Sequence, residues 1–127
     1  MKLLARLPRL HTLDLGFTRI SAAGVRDLKP LGSLRMLRLA DTKDTLPGVG
    51  DLAQLENLDV RGATISDAGL ASLGRLKNLR TLDLAGATLD DSGMPVVAKL
   101  AKLQSLGLSN TRIGDEGVLH LAQLGEL

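Results

Sequence analysis

The stretch "LENLDVRGATISDAGLASLGRL" at residues 55–76 is one of four copies of a single pattern. Alone, it looks like a strand, a glycine-containing loop and a helix start, an order typical of phosphate-binding loops. The other copies are "LHTLDLGFTRISAAGVRDLKPL" at residues 10–31, "LRTLDLAGATLDDSGMPVVAKL" at 79–100 and "LQSLGLSNTRIGDEGVLHLAQL" at 103–124. A pattern that recurs at a fixed period indicates a repeat architecture rather than one special loop.

A shorter unit, "LRMLRLADTKDTLPGVGDL" at residues 34–52, lies between the first and third copies. The second leucines of successive units are 24, 21, 24 and 24 residues apart, at Leu13, Leu37, Leu58, Leu82 and Leu106. The second unit has lost three residues between Thr42 and Val49, and it carries Pro47 where the other units begin a helix. We therefore expect a short, non-helical segment there and a local change in curvature.

These units resemble the leucine-rich repeat, whose strand signature is L-x-x-L-x-L-x-x-N/C-x-L, over nearly the whole chain. The 24-residue T-x-I-x-D-x-G-L version is similar to bacterial repeats and to ribonuclease-inhibitor-like and F-box-associated repeats. The resemblance implies an α/β solenoid of about five repeats, with a parallel β-sheet on the concave face and helices on the convex face. The family's usual ninth-position Asn, which forms a hydrogen-bonded ladder, is replaced by Thr18, Thr42, Ala63, Ala87 and Thr111. Backbone or water must satisfy the loops at the two alanines.

Each unit has two halves with different periodicities. The L-x-L alternation predicts a short strand, and apolar residues three apart in the second half predict a helix or a 3₁₀ turn. Ser21, Ser66 and Asp90 stand where a side-chain oxygen can cap such a segment. One unit cannot bury a core alone, so the units must stack. We expect a single domain over residues 1–127, with repeat cores near 10–31, 34–52, 55–76, 79–100 and 103–124.

Composition excludes several other classes of protein. The chain has 30 leucines, one Phe and no Cys, Trp or Tyr, so its core must be aliphatic and it forms no disulfide or thiolate metal site. The net charge is +2 and both signs are interspersed, which argues against a nucleic-acid partner. No apolar run reaches the roughly 18 residues of a membrane span, and the first ten residues make a poor signal peptide. These features favour a cytoplasmic location and no membrane partner.

The candidate chemical groups have structural explanations. No Gly-Lys-Ser/Thr motif occurs, so the loop is not a phosphate-binding P-loop. A glycine equivalent to Gly69 recurs in four units, so close packing explains this glycine better than a phosphate site does. The neighbouring carboxylates Asp90 and Asp91 fit helix capping. No ligand set surrounds the strand aspartates, and His11 and His120 should lie far apart. We expect no enzyme activity, no catalytic residue, no metal and no cofactor.

The leading hypothesis is a non-catalytic protein–protein interaction module that binds a protein partner on its concave strand face. The scaffold fixes the backbone there, while side-chain identities vary. Arg61 can bridge the aspartates of neighbouring strands. Phe17 is the only aromatic residue, and it either contacts the partner or folds over a neighbouring loop. The candidate partner-binding residues are Asp14, Phe17, Met36, Arg38, Asn57, Asp59, Arg61 and Asp83.

The alternative is a repeat segment of a larger protein, such as a ubiquitin-ligase substrate receptor or a bacterial sensor or effector. Met1, Leu4 and Leu7 match the tail of a helical segment, as if an earlier unit preceded them. Neither end shows the polar cap that solenoids normally need. We therefore expect a fragment of a longer array, or self-association through uncapped ends.

Overall fold

A computed structural model describes residue 3 and residues 6–127. Five three-residue strands form one parallel sheet, in which their order is their order in the chain. The strands are β1 (Thr12–Asp14), β2 (Met36–Arg38), β3 (Asn57–Asp59), β4 (Thr81–Asp83) and β5 (Ser105–Gly107). One strand comes from each sequence unit, so the predicted solenoid and its register are confirmed.

Short helices follow the strands and form the other side of the solenoid. The α-helices are α1 (Ala22–Arg26), α2 (Asp67–Leu73), α3 (Met94–Val97) and α4 (Asp115–Leu119). The 3₁₀ helices that follow the strands are Leu46–Asp51, Asp91–Gly93 and His120–Gln123. Ser21 and Ser66 cap α1 and α2 by accepting hydrogen bonds from the Gly24 and Gly69 backbone N–H groups, each at 3.2 Å, as predicted.

The core between the two sides is aliphatic and continuous through the stack. In the inner units the strand leucines are fully buried, as at Leu37, Leu58 and Leu82. In the first and last units the equivalent Leu13 and Leu106 are only partly buried. Inner leucines are covered by a unit on each side, so burial depends on stacking rather than on the single repeat.

Apolar side chains are exposed at both ends of the stack. Leu119 on α4 is 73% exposed, and Val118 and Leu127 are exposed as well. At the other end Leu7 is exposed. The predicted helical tail also involved Met1 and Leu4, which lie outside the described residues.

The second unit is helical, so our expectation of a non-helical segment was wrong. Leu46–Asp51 forms a 3₁₀ helix with Pro47 in its first turn. A 3₁₀ helix rises about 2.0 Å per residue, against about 1.5 Å in an α-helix. Its six residues therefore span about 12 Å, close to the about 10 Å of the seven-residue α2. The larger rise per residue of the 3₁₀ helix compensates for the three residues that the second unit lacks.

The ninth-position column keeps its hydrogen bonds without asparagine. Where this residue is Thr, its hydroxyl donates to the backbone carbonyl three residues earlier, at 2.6–2.7 Å: Thr18 to Leu15, Thr42 to Leu39 and Thr111 to Leu108. At Ala63 and Ala87 the backbone N–H alone donates to the equivalent carbonyl, at 3.1 and 2.9 Å. The backbone therefore satisfies the alanine loops, one of the two possibilities we expected.

A polar column that we did not predict also ties the units together. It occupies the position directly before the first leucine of the second, third, fourth and fifth units. Ser33 donates to the Pro8 carbonyl, Gln54 to Leu31, Asn78 to Ala53, and Lys102 to the Asn78 side chain, at 2.6–3.1 Å. Each side chain reaches back to the preceding turn of the solenoid, so this column links neighbouring units.

Close packing of neighbouring helical segments leads to a test at Gly48. A Cβ atom there would overlap the Ala22 carbonyl oxygen and lie 2.9 Å from the Val25 Cβ. We expect Gly48→Ala to lower the free energy of unfolding by about 2 kcal/mol, because backbone must shift to admit the methyl group. Urea denaturation measures the change.

The matched control is Gly32→Ala, where nothing lies within 4 Å of the new methyl group. Its stability should change by less than about 0.5 kcal/mol. Equal stability of the two variants would contradict the close approach of the 3₁₀ helix to α1.

Candidate functional site

The outward-facing side of the sheet, called here the strand face, carries two rows of side chains in register. One row contains Thr12, Met36, Asn57, Thr81 and Ser105. The other contains Asp14, Arg38, Asp59, Asp83 and Gly107. Both rows flank the second leucines of the units, which the sequence analysis had aligned. The three-residue strands therefore place candidate residues from different units side by side.

Six of the eight candidate residues surround one open cleft of about 290 Å³. They are Met36, Arg38, Asn57, Asp59, Arg61 and Asp83, and Leu58 and Thr81 complete the lining. The other two candidates lie outside it. Asp14 is beside the cleft, 3.6 Å from Arg38, and Phe17 follows β1 at the rim of the sheet.

The charged side chains of the strand face form a network across β3 and β4. Arg61 binds the Asp59 carboxylate with two nitrogens, Nε at 2.9 Å and Nη2 at 2.8 Å, and its Nε lies 3.7 Å from Asp83. Asp59 and Asp83 are direct neighbours in the sheet and would otherwise repel each other. The predicted bridging role of Arg61 is thus present in the structure.

This network holds Asp59 in its charged form. Partial burial raises the pKa of Asp59, but hydrogen bonds from the Arg61 side chain and backbone and the charges of Arg61 and Arg38 outweigh it. The pKa therefore lies below its ordinary value of 3.8. A lowered pKa stabilises the fold above the ordinary value, and that stabilisation is lost only as the pH falls through the lowered one. The network is intact at neutral pH.

The strand-face aspartates also shape the backbone, a role that the sequence analysis missed. Each accepts a hydrogen bond from the N–H group two residues later: Asp14 from Gly16 at 2.9 Å, Asp59 from Arg61 at 3.1 Å and Asp83 from Ala85 at 3.0 Å. This is the local bond by which aspartate fixes a turn. The sequence signal for these turns is the aspartate that recurs as the last residue of β1, β3 and β4.

Phe17 belongs to a column with left-handed backbone. The φ angles of its members are 57° at Phe17, 54° at Asp41, 69° at Gly62, 70° at Gly86 and 57° at Asn110. Two glycines, an aspartate and an asparagine are typical of this conformation, so the column was readable from the sequence. The Phe17 side chain is 81% exposed, so the alternative that it folds over a neighbouring loop is wrong.

The remaining candidate groups serve the scaffold. Asp90 accepts a hydrogen bond from the Ser92 N–H at 3.0 Å, and hydrogen bonds from Ser92 lower its pKa. Asp91 accepts from the Gly114 N–H of the next unit at 2.7 Å. Within the described residues no three His, Cys, Asp or Glu side chains could together hold a metal ion. No helix in the described part of the chain is long and apolar enough to cross a membrane.

Solved structures with the same architecture include proteins from bacteria, animals and plants. An internalin from Listeria monocytogenes aligns over 100% of this chain at 29% identity and a TM-score of 0.80, and the chain covers 36% of the internalin. The tropomodulin C-terminal domain of Caenorhabditis elegans aligns over 98% at 16% identity, with a TM-score of 0.70 and 91% of that domain covered. The plant peptide hormone receptor RGFR1, in complex with RGF2, aligns over 85% at 19% identity with a TM-score of 0.57, and 18% of the receptor is covered.

A comparison with protein families agrees with the repeat pattern, although no curated protein matches the chain. The family described as "Leucine Rich repeat" matches residues 54–74, 75–97 and 99–122. These segments cover more than half of the chain and overlap the third, fourth and fifth units. On this match, together with the parallel sheet and the stacked register, the chain belongs to the leucine-rich repeat family.

Proposed function

We propose that the chain is a non-catalytic protein-binding module whose strand face contacts a protein partner. The observation that carries this proposal is the gathering of six candidate side chains from three units around one open cleft. Their backbone positions are set by strands whose alternate residues are buried, as at Leu37 and Leu58. A preorganised surface loses little conformational entropy on binding, which favours recognition by a rigid face.

Within this cleft Arg38 is the cation most available to a partner. Arg61 is held by the two-nitrogen contact with Asp59, whereas Arg38 approaches Asp14 only to 3.6 Å. The Arg38 side chain donates no hydrogen bond to any described residue and is about half exposed. A planar guanidinium with free donors is well suited to carboxylate or carbonyl groups of a partner.

The strained backbone of Phe17 also supports the proposal that a partner contacts the strand face. A left-handed conformation costs a residue with a side chain about 1–2 kcal/mol. Burial does not compensate for this cost, because the ring is 81% exposed. Strain that is retained without a packing benefit is typical of residues kept for contact with another molecule. We infer that Phe17 is an aromatic contact at the rim of the strand face.

The proposed role of the strand face is the same whether the chain acts as a separate module or as a repeat segment of a larger protein. The chain spans about a third of the internalin it resembles. A repeat segment of a larger protein, such as a ubiquitin-ligase substrate receptor or a bacterial sensor or effector, therefore stays a second proposal. The exposed Val118 and Leu119 of the last unit favour a covering layer there, either a further unit or a second copy. The complex of the plant receptor with RGF2 supports binding as the role of the fold in both settings.

The proposal predicts which substitutions abolish partner capture. The chain is immobilised and exposed to lysate of its native source, and bound proteins are identified by mass spectrometry. We expect Phe17→Ser and Arg38→Glu each to weaken retention of the specific partner about tenfold or more, because they remove an aromatic contact and reverse a charge.

The matched control is Arg75→Glu, which makes the same charge reversal beside α2, where Arg75 pairs with Asp51 at 3.1 Å. This variant should retain the partner. Capture that survives both strand-face substitutions but is lost with Arg75→Glu would place the binding site on the helical side and contradict the proposal.

A second prediction concerns the strain at Phe17. We expect Phe17→Gly to raise the free energy of unfolding by about 1 kcal/mol in urea denaturation while weakening capture, because glycine adopts a left-handed backbone without steric cost. The reference is Gly86→Ala in the same column, where the nearest atom is 3.7 Å from the new methyl group. That variant should lose about 1 kcal/mol. A destabilised Phe17→Gly variant would show that the ring packs on the fold.

A further inference from the structure

A second cleft, of about 330 Å³, lies at the edge of the sheet where the strands begin. We call it the edge cleft, and it shares no lining residue with the strand-face cleft. Arg35, Glu56 and Arg80 directly precede β2, β3 and β4, so the sheet register brings them side by side. Gln54, Asn78 and Lys102 complete the lining.

The edge cleft has an excess of positive charge. Its lining contains three cations, Arg35, Arg80 and Lys102, and one carboxylate, Glu56. The strand-face cleft, by contrast, balances two arginines with two aspartates. A concave surface lined mainly by one sign of charge concentrates ligands of the opposite sign. Of these two clefts, the edge cleft is therefore the one suited to an acidic ligand.

Hydrogen-bond donors remain available in the edge cleft. The Arg80 Nε lies 4.0 Å from Glu56, beyond hydrogen-bonding distance, and the Arg80 side chain donates to no described residue. Arg35 is held in place through Nη1, which donates to the Gly32 carbonyl at 2.8 Å, while its Nε lies 3.6 Å from Glu56. Both guanidinium groups can therefore offer a fork of N–H donors to a carboxylate.

The floor of the edge cleft is preorganised by the polar column described above. Gln54 and Asn78 are tied to the backbone of the preceding unit at 3.1 and 2.9 Å. The Asn78 side chain in turn accepts a hydrogen bond from Lys102 at 2.9 Å. The cleft therefore needs little ordering when a ligand enters.

The row of cations is long compared with a single small anion. It runs from the second unit to the fifth, and three strand spacings of about 4.8 Å correspond to about 14 Å. An extended peptide covers that length with about four residues. We propose that the edge cleft binds an acidic peptide segment of a protein partner, with Arg80 and Lys102 as its main contacts. Glu56 lies between Arg35 and Arg80 and competes with the incoming carboxylates.

The test uses a fluorescein-labelled hexaglutamate peptide, with hexaglutamine as its uncharged match, and fluorescence anisotropy of the full chain at low and high salt. Hexaglutamate should bind, more weakly at high salt, and hexaglutamine should not. Arg80→Gln should weaken binding about fivefold, because it removes one exposed charge pair. Glu56→Gln should strengthen binding about threefold, because it removes the internal competitor.

The control variant is Arg75→Gln, which removes a cation from the helical side and should bind like the wild type. Circular dichroism verifies that all variants are folded. Equal weakening by Arg80→Gln and Arg75→Gln, or no tightening with Glu56→Gln, would overturn the proposal. So would equal binding of hexaglutamine, no binding of hexaglutamate, or displacement of hexaglutamate by inorganic phosphate at equal concentration, which would identify a small-anion site. None of these results depends on the strand-face partner.

Discussion

The stacking of buried leucines between neighbouring units is the interaction on which the rest of this structure depends. Leu37, Leu58 and Leu82 are shielded from water by the units on both sides, whereas the equivalent Leu13 and Leu106 of the end units are only partly covered. A single unit has too little apolar surface to offset the entropy of ordering its residues. Stability therefore resides in the contacts between units, and this fixes the register of the sheet. Polar links follow the same rule, because the column of Ser33, Gln54, Asn78 and Lys102 reaches from one unit to the one before it.

The stacking constraint leaves the strand face free to vary. Inward positions on each strand must be aliphatic, but the outward positions need only tolerate an extended backbone, so Met36, Asn57 and Arg38 are unconstrained by the core. The aspartates of the strand face are less free than they look, because Asp14, Asp59 and Asp83 each fix the turn that follows their strand. Replacing them would disturb backbone and surface together. Arg38 and Phe17 carry no such hydrogen bond to the fold among the described residues, which is why they are the informative positions for testing recognition.

The repeat pattern, with the family resemblance that it carries, was sufficient to predict the solenoid and its strand register. The serines before the helical segments predicted the caps at Ser21 and Ser66. These features depend on burial and on short-range hydrogen bonds. The features that were not predicted depend on more than burial and short-range hydrogen bonds. The 3₁₀ helix at Leu46–Asp51 follows from the distance that a shortened segment must span, which is a property of the neighbouring units. The left-handed column that contains Phe17 could have been predicted from its two glycines, its aspartate and its asparagine, although Phe17 itself does not favour that conformation. Side chains such as Gln54 and Asn78 form their links only after the units have stacked, so their sequence spacing alone did not reveal their partners.

The central claim is that a protein partner binds the strand face. It is tested most directly by backbone-amide chemical-shift mapping of the isotope-labelled chain during titration with the captured partner. The account predicts that the largest changes fall on residues 12–17, 36–41, 57–62 and 81–86, which form the strands and the turns that follow them, while α2 and α3 change little. Large changes at Asp67–Leu73 and Met94–Val97, with an unperturbed strand face, would contradict it.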